Sequence, residues 1–105
     1  MAAEITSAER INHELKLSVA MLGELADSIE QWEEMTGEEQ ADWSLEWDQF
    51  INILEHVLHK AYKSRQMSSE QVVRYQELLS AIRDVSPNLS KMNLLQPRVS
   101  LAEVV

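Results

Sequence analysis

Cysteine is absent from this sequence, and glycine and proline occur only twice each. Without cysteine there is no disulfide, no thiolate zinc site and no cysteine nucleophile, and the chain suits a reducing compartment. Two glycines are too few for a phosphate-cradling loop. Scarce breakers favour long helices over a sheet with many tight turns. Positive charge is also short: nine Lys and Arg face eighteen Asp and Glu, a formal net charge of −9. That balance argues against nucleic acid as a direct ligand and against docking on an anionic membrane, both of which need clustered cations. No apolar run approaches the ~20 residues that cross a bilayer. Met1-Ala2-Ala3-Glu4 lacks the basic start and apolar core of a secretory signal, so a cytoplasmic protein is expected.

What the chain does have is apolar residues in helical register. At 45% they suffice for one globular domain, and 105 residues leave room for no more. Ala8, Ile11, Leu15, Ser18, Leu22, Leu25, Ile29 and Trp32 recur in steps of three and four, a heptad seam with only Ser18 out of character. With Thr6 or Ser7 as N-cap, this predicts a helix over about 7–34. Gly23 beside the seam either admits a close backbone approach or is merely tolerated.

Thr36-Gly37-Glu38-Glu39 breaks the pattern and restarts it with capping-box spacing. Trp43, Trp47, Phe50, Leu54, Val57 and Ala61 then mark a helix over about 38–66, with Ile51 and Leu58 widening its stripe. Ser68-Ser69 opens a third helix over about 69–85, with Val72, Tyr75, Leu79 and Ile82 inward and Ser86-Pro87 ending it. Leu89, Met92, Leu94 and Leu95 suit a short apolar turn, and 96–105 reads as a flexible tail. The expected fold is all-α: one domain over 1–95, a three-helix bundle built on a long antiparallel hairpin, with a shorter third helix and an irregular tail.

Turning the hairpin near residue 36 pairs positions whose numbers sum to roughly 72. Eleven acids then collect between Glu24 and Glu55, while all nine bases and all three histidines lie outside that span. The turn becomes an acidic pole that also holds every tryptophan, and a third helix of this length does not reach it. On one reading the acids are solvated surface and the tryptophans are core, covered by the tail or by a second copy. On the other, Trp32, Trp43 and Trp47, with Glu34, Glu38, Glu39, Asp42 and Glu46, form a surface for a basic, partly apolar protein.

His13, His56 and His59 are the candidate metal ligands, two at helical spacing plus one from the facing helix. The Glu-x-x-His repeats of carboxylate di-metal bundles are missing, and so is His-Glu-x-x-His. No nucleophile–base pair and no cofactor motif can be read. Ser86-Pro87 as a phosphorylation site and Glu103-Val104-Val105 as a captured C-terminus are short, unspecific matches. The expectation is a non-enzymatic interaction protein, a homodimer or the partner of a basic protein such as a nucleic-acid-binding one. The alternative is a metal-binding bundle.

Overall fold

The computed structural model describes residues 7–99. Thr6, the Met1–Glu4 stretch and the segment 100–105, with Glu103-Val104-Val105, lie outside them. Among the described residues there are helices and no strand. Helix α1 is Ala8–Gln31, and its N-cap is Ser7, whose hydroxyl accepts the Arg10 amide. A single 3₁₀ turn, Trp32–Glu34, tightens its end. Thr36 then caps α2 through a full capping box. Its Oγ1 accepts the Glu39 amide at 3.1 Å, and its own amide donates to Glu39 Oε1 at 2.9 Å. Gln40 reaches back from α2, its side-chain amide donating to the Trp32 carbonyl at 2.6 Å, and fixes the turn.

Helix α2 covers 37–63 without a break but not with one pitch. Gly37–Ile53 and His59–Lys63 are α-helical, and Leu54–Leu58 between them is a π turn in which the His59 amide donates to the Leu54 carbonyl, five residues back. Trp47, Phe50, Ile51 and Leu54 are buried as the heptad reading expects. Leu58 and Ala61 follow in the core, also as expected, whereas Val57 is only half-buried.

Helix α3, Ser69–Asp84, begins with a second capping box, Ser68 with Gln71. Gln71 is 4% exposed and fully used: its Nε2 also donates to the Ala8 carbonyl (3.1 Å) and to Asn12 Oδ1 (2.9 Å), pinning the start of α3 to the start of α1. From there α3 packs along α1. Helix α3 ends at Asp84, just ahead of Ser86-Pro87 as expected, and Pro87 then stands in the first turn of a fourth helix, α4, Ser86–Lys91, where its missing N–H costs nothing. One core runs through the whole molecule, from Ile11 and Ala61 at one end to Leu25, Trp47 and Leu89 at the other.

Candidate functional site

The turn pole is where sequence expectation and structure part. Helix α3 alone would leave it open, but α4 and the following residues fold back across it. Leu89, Met92 and Leu94 are buried there, and Asn93 takes a positive φ of 56°, turning the chain onto α2. Trp47, named for the partner surface on one reading and as core covered by the tail on the other, is wholly buried, and its indole N–H donates to the Leu95 carbonyl at 2.6 Å. Three residues on, the Arg98 amide donates to Glu55 Oε2, also at 2.6 Å. Gln96, assigned to the flexible tail, is held by hydrogen bonds with Ser86 and Ser90. The chain thus supplies its own cover for the central tryptophan.

Trp43 stacks on Trp47 with centroids 5.7 Å apart and remains half-buried. Trp32 is half-buried in the 3₁₀ turn. It lines a cavity of about 350 Å³ with Ile29, Glu33, Glu34, Lys91 and Met92, between that turn and α4. Of the expected acidic residues, Glu34, Glu38, Asp42 and Glu46 are exposed. Glu39 is exposed too, but its carboxylate is engaged in capping α2. The eleven acids between Glu24 and Glu55 have no cationic partner within 4 Å among the described residues. The ion pair that is present, Arg83–Asp84 at 3.6 Å, lies outside their span.

A second concavity lies on the opposite side of the α1–α2 seam from α3 and the covering tail. Leu17 and Met21 of α1 face Phe50 and Ile53 of α2 across a groove of about 290 Å³. Glu14 and Glu24 on one wall and Glu46 on the other complete the lining, and no residue of α3, α4 or the tail contributes. Residues between 14 and 24 of α1 thus meet residues between 46 and 53 of α2 along one groove. Leu17 is 49% exposed, a large apolar side chain left at the groove mouth. This row lies outside the heptad seam of α1. The signal was Leu17 and Met21, an i, i+4 apolar pair outside the heptad, between Glu14 and Glu24.

The histidines do not converge. His13 and His56 are exposed, while half-buried His59 turns toward α3, its Nδ1 2.8 Å from the Tyr75 hydroxyl. The three-residue spacing of His56 and His59 misled because they flank or occupy the π turn, where residues three apart no longer share a face. Among the described residues no group of three His, Asp or Glu side chains is placed to hold a metal ion. No helix among them is long and apolar enough to cross a membrane. Comparison with known protein families, curated proteins and solved structures finds no match to this chain.

Proposed function

We propose that this is a non-enzymatic protein–protein interaction module, working in the cytoplasm, whose acidic α1–α2 surface binds a basic, partly apolar protein partner. Nucleic-acid-binding proteins present surfaces of that kind. The observation that carries the reading is the uncompensated charge: eleven acids between Glu24 and Glu55, ten of them exposed and none paired with a cation among the described residues. Charge gathered in this way steers association and rejects like-charged competitors more than it stabilises a fold.

Self-association was attractive while all three tryptophans needed an external cover. The intramolecular bond from Trp47 to Leu95 supplies that cover for the largest of the buried side chains. Light scattering should therefore give a monomer mass across concentration. A stable dimer would return the pole to self-association.

The charge reversals that test the reading must spare the fold. Glu39 caps α2 and Trp43 stacks on Trp47, so neither is suitable. Glu34→Lys, Asp42→Lys and Glu46→Lys change exposed positions. Partner capture should be lost in this triple variant at unchanged helicity, and in the native protein it should weaken as salt is raised. Capture indifferent to both would overturn the proposal.

A further inference from the structure

We infer that the groove between α1 and α2 is the seat for one amphipathic helix of the partner, apolar on the face it inserts and basic along its flanks. This rests on the interaction reading above and assigns it a place. The floor is Met21, Phe50 and Ile53, Leu17 stands at the mouth, and both walls carry acid: Glu24 on α1, Glu46 on α2. Asp42 continues the α2 wall one helical turn toward the pole.

Size and chemistry choose the occupant. From position 14 to position 24 the groove follows α1 for about 15 Å at 1.5 Å per residue, room for two to three helical turns presenting apolar anchors at i, i+3 or i+4, and i+7. At about 290 Å³ it is small and shallow for an enclosed ligand site, and it lacks convergent polar groups to orient one. Ser18 at its edge already spends its hydroxyl proton on the Glu14 carbonyl, at 2.7 Å. Charge on both rims excludes an acidic helix, including one from a second copy of this chain, and favours Lys or Arg on either side of the apolar stripe. The tail that covers Trp47 runs on the far side of α2, so the groove is free while the core is closed.

The test uses the full-length protein and a synthetic amphipathic helical peptide of Leu and Lys, with a Leu and Glu peptide as its counterpart. Amide NMR shifts on titration should map to residues 14–24 and 46–53, and the acidic peptide should not bind. Leu17→Lys with Ala20→Lys places two cations at the groove, both at exposed positions. Val19→Lys with Val73→Lys makes the same charge change at exposed apolar positions away from it. The groove variant should lose at least tenfold in affinity and the control less than threefold. Equal losses, or shifts spread over the acidic pole, would overturn the groove while leaving a basic partner in place. Failure of the wild-type protein to bind the Leu and Lys peptide saturably would overturn both. A doubled mass that the groove variant reduces to a monomer would show a second copy as occupant and overturn the basic helix.

Discussion

Gly23 lies on the exposed side of α1 in helical conformation, and a Cβ built there meets nothing within 4 Å. Of its two readings, close approach is therefore excluded and tolerance remains. Gly23→Ala should stabilise the protein by about 0.5–1 kcal/mol through helix propensity and a less free unfolded chain, seen as a higher denaturant midpoint at constant m-value. A lower midpoint would contradict the open space. Trp47 is the opposite case, a residue with no slack. Trp47→Phe keeps an aromatic ring but removes the donor to the Leu95 carbonyl, a hydrogen bond worth about 0.5–1.5 kcal/mol net. Amide exchange should then accelerate selectively over 94–98, and exchange unchanged there would show that the indole bond does not hold the tail. Gln71 carries three bonds from a buried position, and Gln71→Leu removes the capping box together with both ties to α1. The expected loss is about 1–3 kcal/mol, with fraying concentrated at the start of α3. Ser18, the odd member of the first seam, is buried without penalty because its hydroxyl bonds back to the Glu14 carbonyl within the helix.

At the scale of elements, α4 and the residues after it act as the missing half of α3. Leu89 is fully buried, and Leu89→Ala should cost about 2–5 kcal/mol, as for a core leucine, with Trp47 emission shifted to the red as the cover loosens. A loss below about 0.5 kcal/mol would mark α4 as an ornament on a core complete without it. Caps and seams were legible in the sequence because each rests on local spacing: Thr36 with Glu39, and Ile11 through Ile29. The π turn was not, since nothing in Leu54–Leu58 announces an added residue. The tail was half legible. Leu89, Met92 and Leu94 signalled an apolar turn, but the decisive bond, from Trp47 to Leu95, spans 48 positions and leaves no periodic trace. The run of acids is visible in the sequence, whereas the groove among them needed the two helices in place.

The molecule as a whole, 47 × 29 × 20 Å in extent, carries its charge unevenly, and among the described residues the acids between Glu24 and Glu55 have no cation within 4 Å. Acids along facing stretches of α1 and α2 repel one another in the native state, and the hairpin that brings them together does so against that repulsion. Salt should relieve it. The Debye length falls from about 10 Å at 0.1 M to about 3 Å at 1 M, shorter than the spacing of most of these exposed charges. The wild-type protein should therefore gain roughly 4–8 °C in Tm on going from low salt to about 1 M sodium chloride, corresponding to about 1 kcal/mol for a domain of this size. Salt also strengthens apolar burial, which would raise Tm with no electrostatic contribution, so the rise alone does not identify its cause. The triple reversal at Glu34, Asp42 and Glu46 separates the two. Each reversal changes the charge by two units, taking the formal net charge from −9 to −3, while the core is untouched. If repulsion is the cause, the variant melts higher than the wild type at low salt and gains less from added salt. Parallel salt curves for the two proteins would show that the acids are well solvated and nearly indifferent to one another, and would remove the energetic reason for a basic partner to relieve them.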